Sequence, residues 1–189
     1  MKKLVYASLL IGCLLAVGFQ AQALPITPDD AWQTGLGQEG NQNSQSVIDG
    51  IVAGYIGSAV GLYKDDVGVG ESGTLAGSYQ TVFSNSATDP ADALISYTGG
   101  PIVDNPAYLL VKDGNHEPWW YLYDLADLGW DGMEDLGLSG FWPNGGAISH
   151  VTLYGTSGTN PVPEPGTLLL LGCGLLGLAL YGRSRQKNF

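Results

Sequence analysis

The sequence predicts an all-β domain, of the β-sandwich or jelly-roll type, set between two apolar termini. Short β-rich runs alternate with turn residues along the middle of the 189-residue chain. Glycine makes up 22 of the 139 residues from 24 to 162, without the regular spacing of a collagen. Helical periodicity is weak in that region, and its best candidate is the segment 31–38.

Eight candidate strands follow one another within a predicted ectodomain at residues 24–155. Turn signals such as Asp89-Pro90 separate them. A loosely structured N-terminal segment, 24–45, precedes the strands, and a flexible linker, 156–162, follows them. The candidate strands are Ser46–Val52, Gly57–Tyr63, Ser78–Phe83, Ala93–Tyr97, Ala107–Lys112, Trp119–Asp124, Leu136–Phe141 and Ala147–Tyr154.

The N-terminus has the three parts of a secretory signal peptide. Lys2 and Lys3 precede an apolar run, and the small residues Ala21 and Ala23 close it. This pattern predicts a signal peptide at residues 1–23, cleaved after Ala23. The protein would then be exported by the Sec translocon across the inner membrane.

The C-terminus predicts a transient membrane anchor, with a helix over residues 166–182. Its apolar run of 16 residues spans roughly 24 Å as a helix, somewhat less than the ~30 Å hydrocarbon core of a bilayer. Arg183, Arg185 and Lys187 follow the run and favour a cytoplasmic tail. The signal peptide agrees with this orientation, because it places the preceding region on the other side of the membrane.

Three residues directly before this run complete a recognisable motif. Pro163, Glu164 and Pro165, followed at once by the apolar run and the basic tail, resemble the PEP-CTERM sorting signal, which would occupy residues 163–187. The resemblance implies a Gram-negative bacterium in which an exosortase, a membrane-embedded protease and transpeptidase, recognises and removes the segment. It also implies a link to exopolysaccharide and biofilm, with the mature protein at the cell surface or in the extracellular matrix.

A second resemblance concerns residues 115–155. Their Trp-Tyr-Leu, Phe-Trp-Pro and Gly-Ala-Ile-Ser-His-Val runs are similar to a module in the ectodomains of many PEP-CTERM proteins. The similarity implies a shared fold and no particular activity.

Net charge excludes one class of partner. Residues 24–162 carry 17 acidic side chains and two lysines, Lys64 and Lys112, which gives a net charge of −15. Nucleic acid is excluded, because binding its phosphates needs a basic patch. These residues contain no cysteine, so the core must stabilise the exported domain without disulfides.

Seven aromatic residues between Trp119 and Trp142 are candidates for glycan binding. Strand alternation places Trp119, Tyr121 and Tyr123 on one face and Trp120 on the other. We expect most of these rings to lie in the core. Trp130 and Trp142 fall at predicted turns and are therefore the candidates for exposed rings that stack on sugars.

Metal binding is a weaker candidate. Asp124, Asp127 and Asp131 are spaced closely enough for a Ca²⁺ loop, but their offsets do not match an EF-hand. Solvated turn acids are favoured, and no cofactor is expected. His116 and His150 would form a zinc site only if the fold brought them together.

No catalytic motif stands out, since the chain lacks a nucleophile elbow, a phosphate-binding glycine loop and a His-Glu-x-x-His pair. We therefore expect a non-catalytic structural or binding component of an exopolysaccharide matrix. Two alternatives remain open: a carbohydrate-binding module with defined glycan specificity, and a hydrolase acting on matrix polymer.

Overall fold

The computed structural model describes residues 22–35, 44–57, 60–84, 88–113 and 115–159. Within these ranges strands are the main secondary structure, and the predicted all-β class is confirmed. The strands are β1 (Leu24–Ile26), β2 (Gln33–Thr34), β3 (Val60–Asp66), β4 (Gly70–Ser72), β5 (Tyr79–Ser84), β6 (Asp92–Tyr97), β7 (Ile102–Lys112), β8 (Trp120–Asp124), β9 (Leu136–Leu138) and β10 (His150–Gly158). The helix α1 spans Gln45–Ile56, and a short 3-10 helix spans Pro28–Asp30.

These strands form two sheets. One has four strands in the order β1-β9-β6-β5, and the other has six in the order β2-β8-β7-β10-β3-β4. Neighbouring strands are antiparallel except β1 and β9, which are parallel. The last strand, β10, lies in the interior of the six-stranded sheet between β7 and β3.

The main core contains inward-facing residues of both sheets, such as Ile95 of β6 and Leu109 of β7. A second apolar cluster lies on the opposite face of the six-stranded sheet, where α1 covers it. Strand β8 divides its side chains as alternation predicts, with Tyr121 and Tyr123 in the main core and Trp120 under the helix. Both faces of β8 are therefore buried. The prediction is wrong for Trp119, which precedes the strand and packs against the second cluster rather than beside Tyr121.

The prediction of a strand at Ser46–Val52 is wrong, because these residues belong to α1. Ile48, Val52 and Ile56 recur every four residues and form the buried face of the helix. Ser44 caps its N-terminus by accepting a hydrogen bond from the Val47 amide at 3.4 Å. Two glycines inside α1 lower its intrinsic helix propensity, so packing against the sheet stabilises it.

The described part of the N-terminal segment 24–45 contains two short strands that we did not expect. Residues 24–26 form β1 and residues 33–34 form β2, which also shows that the helix predicted at 31–38 is wrong over residues 31–35. Residues 36–38 lie outside the described ranges. Such short strands carry no alternation signal of their own, and their partners, β9 and β8, lie far along the chain. Strand β4 is also too short to carry an alternation signal, although its partner β3 lies just before it in the chain.

The other seven predicted strands coincide with β3 and β5–β10, with shifted ends. At the C-terminal side, residues 156–158 belong to β10 rather than to a flexible linker. Thr156 donates a hydrogen bond from Oγ1 to the Asn105 carbonyl oxygen at 2.9 Å. The chain divides into two compact units, Met1–Gly158 and Thr159–Phe189, and Thr159 is the one described residue of the second.

Candidate functional site

The residues predicted for sorting fall mostly outside the described ranges. These are Ala21, Pro163, Glu164, Pro165, Arg183, Arg185 and Lys187, together with the predicted membrane helix. Ala23 is described and lies directly before β1. Among the described helices, none is both long and apolar enough to cross a membrane.

Trp130 and Trp142 are core residues, and the expectation that they are exposed is wrong. Their exposed fractions are 4% and 5%. The Trp130 Nε1 donates to the Glu134 carbonyl oxygen at 2.6 Å, and the Trp142 Nε1 donates to the Pro118 carbonyl oxygen at 2.9 Å. The turns that carry them fold back over the core, where the apolar rings are buried and each N–H finds a backbone acceptor.

The three acids considered for Ca²⁺ are not assembled into a site. Asp124 Oδ1 accepts hydrogen bonds from the amides of Ala126 and Asp127, at 3.0 and 3.3 Å. Asp131 Oδ1 does the same for Met133 and Glu134, at 2.9 and 3.0 Å. Each carboxylate therefore stabilises its own turn. In the ranges that the structure describes, no three His, Cys, Asp or Glu side chains are grouped to hold a metal ion.

The two histidines have separate carboxylate neighbours. His116 lies with Nδ1 3.2 Å from Asp113 Oδ2, on a mostly exposed turn. His150 lies with Nδ1 3.6 Å from Asp66 Oδ1, on a buried part of β10. The structure does not bring the two imidazoles together with a third ligand within the described residues.

A cavity of about 380 Å³ lies beside Asp113 and is also lined by His116 and Ser149. Asp113 is only 4% exposed. Its Oδ1 accepts from the Asn115 amide at 2.8 Å, and its Oδ2 accepts from the Ala147 amide at 2.9 Å. This carboxylate thus joins the turn after β7 to the loop before β10.

Gly146 allows that loop to approach Asp113 closely. Its φ of +120° is a conformation that side chains disfavour, and a Cβ atom there would lie 2.3 Å from Asp113 Oδ2. The carboxylate of Asp113, which lines the cavity, therefore holds two loops together.

A charged cluster occupies the outer face of the six-stranded sheet, beside α1. His150 pairs in register with Lys112 of β7 and Asp66 of β3, while Lys64 lies two residues before Asp66. Lys64 forms an ion pair with Asp66, and Lys112 donates from Nζ to the Asp113 carbonyl oxygen at 2.7 Å. The two lysines of the ectodomain are thus both near His150.

These surroundings keep His150 neutral. Burial lowers the pKa of His150 to about 4, and the neighbouring Lys64 adds to this effect. Burial also lowers the pKa of Lys112. On the same strand as Lys64, burial raises the pKa of Asp65 to about 6, with Glu71 and Asp66 adding to it. The cluster is a partly buried group of charged side chains at one end of the sheet.

Sequence reasoning missed a cluster of aromatic side chains at the surface. Trp32 and Tyr55 are 43% and 44% exposed, and their ring centroids lie 6.3 Å apart. Tyr108 of β7 lies 5.9 Å from Trp32. No local pattern signals this cluster, because Trp32, Tyr55 and Tyr108 are far apart in the sequence and meet only through the fold. We call these three residues the surface aromatic cluster.

Comparison with known proteins identifies one segment. No curated protein and no solved structure matches the chain significantly. Residues 161–186 match the family model of the PEP-CTERM protein-sorting motif, which implies processing by an exosortase and a membrane-proximal sorting signal. The resemblance seen at Pro163–Pro165 is thereby confirmed. The chain therefore carries a PEP-CTERM protein-sorting motif at residues 161–186.

Proposed function

We propose that this protein is exported, anchored briefly in the inner membrane and then delivered by an exosortase to the cell surface or the exopolysaccharide matrix of a biofilm. The motif at residues 161–186 carries the proposal. Two prolines flank Glu164 and disfavour a helix there, so the motif would be presented to the protease as an extended chain. The predicted helix 166–182 would hold it at the membrane until cleavage.

For the ectodomain we propose a non-catalytic structural role in that matrix. Support comes from how the structure uses its polar groups. Asp113 and Asp131 each bind backbone amides of nearby or packed loops. Carboxylates engaged in this way stabilise turns, whereas an acid or base in catalysis has to reach a substrate. The main core, built from both sheets, also stabilises the domain without disulfides, as a protein exported to the surface requires.

The sorting step is tested with the full chain in an exosortase-bearing host and in the same host lacking the exosortase. We expect intact-mass analysis to show loss of the C-terminal segment and recovery in the matrix fraction. The Glu164→Ala variant, or removal of the exosortase, should leave an unprocessed chain in the membrane. Processing that is unchanged in the exosortase-deficient host would refute the proposal.

The chain offers a matched control. Glu117 also precedes a proline and lies in an exposed turn of the ectodomain. The Glu117→Ala variant should be processed like the natural chain, because it lies outside the sorting motif.

Two other classes of function have distinct signatures. A carbohydrate-binding module would bind a glycan saturably, and the surface aromatic cluster favours this candidate. A matrix-polymer hydrolase would instead show turnover that is lost when one or two specific carboxylates are changed.

A further inference from the structure

The surface aromatic cluster is held in place by contacts between its own rings and the protein. Trp32 meets Tyr55 nearly edge to face, at an interplanar angle of 76°. It meets Tyr108 at a tilt of 31°. Tyr55 in turn lies 6.0 Å from Trp120, which is completely buried. This chain of rings connects the exposed pair to the sheet and positions it before any ligand arrives.

Exposure sets this cluster apart from the other aromatic groups of the domain. Trp130 and Trp142 lie in the core, yet Trp32 keeps 43% of its surface exposed although two rings contact it. Large aromatic side chains contribute most to the stability of a fold when they are buried. Two half-exposed rings side by side therefore indicate a surface that a partner covers.

Acceptors for hydroxyl groups lie next to the rings. Asp124 of β8 is the register partner of Tyr108 on β7, so both side chains project from the same face of the sheet. Burial raises the pKa of Tyr108, and the nearby charges of Asp124 and Asp127 add to it. Asp124 accepts two backbone amide hydrogen bonds through Oδ1. A carboxylate has about four acceptor sites, so Asp124 can accept further hydrogen bonds.

The charge of the domain argues against an anionic partner. The ectodomain has a net charge of −15, which repels an anionic polymer. The two lysines that would offset this repulsion are engaged elsewhere, Lys64 with Asp66 and Lys112 with the Asp113 carbonyl oxygen.

We propose that Trp32, Tyr55 and Tyr108 form a binding platform for the pyranose rings of a neutral polysaccharide. The C–H face of a pyranose is weakly positive and complements the negative face of an aromatic ring. Its hydroxyl groups would donate to the carboxylate of Asp124. The proposal rests on the proposed delivery to a polysaccharide matrix and gives the sorted protein a means of being retained there.

The test is affinity electrophoresis of the full-length chain in a polyoxyethylene detergent, which contains no sugar. The gels contain hydroxyethylcellulose or galactomannan as neutral polymers, or alginate as an anionic polymer of similar ring chemistry. We expect saturable retardation by at least one neutral polymer and none by alginate. Trp32→Ala and Tyr55→Ala should each weaken that binding about tenfold.

Two controls separate ring contact from damage to the fold. Trp32→Phe keeps an aromatic face and should bind better than Trp32→Ala. Val82→Ala removes an exposed apolar group from β5 of the other sheet and should bind like the natural chain. Near-ultraviolet circular dichroism checks that each variant is folded, and Tyr55→Ala, on the outer side of α1, provides the result if Trp32→Ala unfolds.

Three outcomes would overturn the platform: no retardation by either neutral polymer, equal retardation by alginate, or natural affinity in both alanine variants. None of them bears on delivery, which is read from cleavage at the sorting motif in cells. A Trp32→Ala chain that is processed normally but washes out of the matrix would support both proposals.

Discussion

At the scale of single residues, two buried ionisable groups affect the pH dependence of stability in opposite directions. His150 is neutral in the folded protein because burial lowers its pKa to about 4, from a usual 6.5. Asp65 is also buried, and burial raises its pKa from 3.8 to about 6. Between these values the unfolded chain binds the proton at His150, whereas the folded chain binds it at Asp65. The two groups therefore respond to acid with opposite signs.

Acidification from pH 7 to pH 5 should reveal the opposite effects of the two groups on the free energy of unfolding. Because His150 stays neutral when folded, it lowers the free energy of unfolding by about 2 kcal/mol over this interval, since the unfolded imidazole becomes protonated. Asp65 raises the free energy of unfolding by about 1 kcal/mol over the same interval, since the folded carboxyl becomes protonated and loses its burial penalty. Relative to the natural chain, His150→Gln should become more stable on acidification and Asp65→Asn less stable.

Urea unfolding at several pH values measures both effects. Only the difference between each variant and the natural chain is compared, because the other carboxyl groups titrate in all three proteins. Parallel pH profiles for the natural chain and His150→Gln would show that His150 is not held neutral by burial.

Asp131 lends itself to a test of metal binding at the same scale. Its Oδ1 accepts two backbone amides and so closes a turn without an ion. We expect the melting temperature to be the same in excess Ca²⁺ and in chelator. Asp131→Ala should lower stability by about 1 kcal/mol in both, through the lost turn hydrogen bonds. A melting temperature that rises with Ca²⁺ in the natural chain alone would instead indicate a bound ion.

At the scale of elements, the helix α1 depends on the sheet beneath it. Its buried face packs on Leu110 and Trp120. Near its start, Asp49 accepts a hydrogen bond from the Tyr154 hydroxyl at 2.8 Å, which fixes the helix to β10. A helix of 12 residues with interior glycines is marginal alone, so this packing accounts for its presence.

Two neighbouring residues of α1 test this dependence. Ile48 is completely buried, and Val47 is 44% exposed. Ile48→Ala should lower the free energy of unfolding by about 2–5 kcal/mol, because it leaves a cavity between helix and sheet. Val47→Ala should change it by less than about 0.5 kcal/mol. Urea denaturation measures both, and equal effects would show that α1 does not pack as described.

At the scale of the whole molecule, the last described strand, β10, lies in the interior of the larger sheet. Strand β10 pairs with both β7 and β3 and ends at Gly158, three residues before the matched sorting motif begins. Cleavage within the motif would therefore leave every described strand intact. Removal of part of β10 would open the centre of the sheet.

Two truncations test this arrangement. A chain that ends at Thr159 should unfold at the same temperature as the full chain, since it keeps all of β10. A chain that ends at Leu153 should fail to give a cooperative melting transition, because β7 and β3 lose more than half of the strand between them. Circular dichroism on heating measures both. A cooperative transition in the shorter chain would mean that β10 is not central to the fold.

Contiguous chemistry was readable from the sequence. Pro163, Glu164 and Pro165, with the apolar and basic residues after them, specify a sorting motif within one short segment. The alternation of Trp120 and Tyr121 likewise predicted opposite faces of one strand, because the geometry of a strand is local. The all-β class followed from the same kind of local signal, repeated along the chain.

The tertiary structure decided which side chains are exposed, because exposure depends on partners that are distant in sequence. Trp142 falls at a turn, as predicted, yet the fold buries it against Tyr121. Trp32 lies in a segment expected to be loosely structured, yet it meets Tyr55 and Tyr108 at the surface. The sequence alone thus determined the sorting motif of this protein, while packing between remote segments decided which of its aromatic side chains remain exposed.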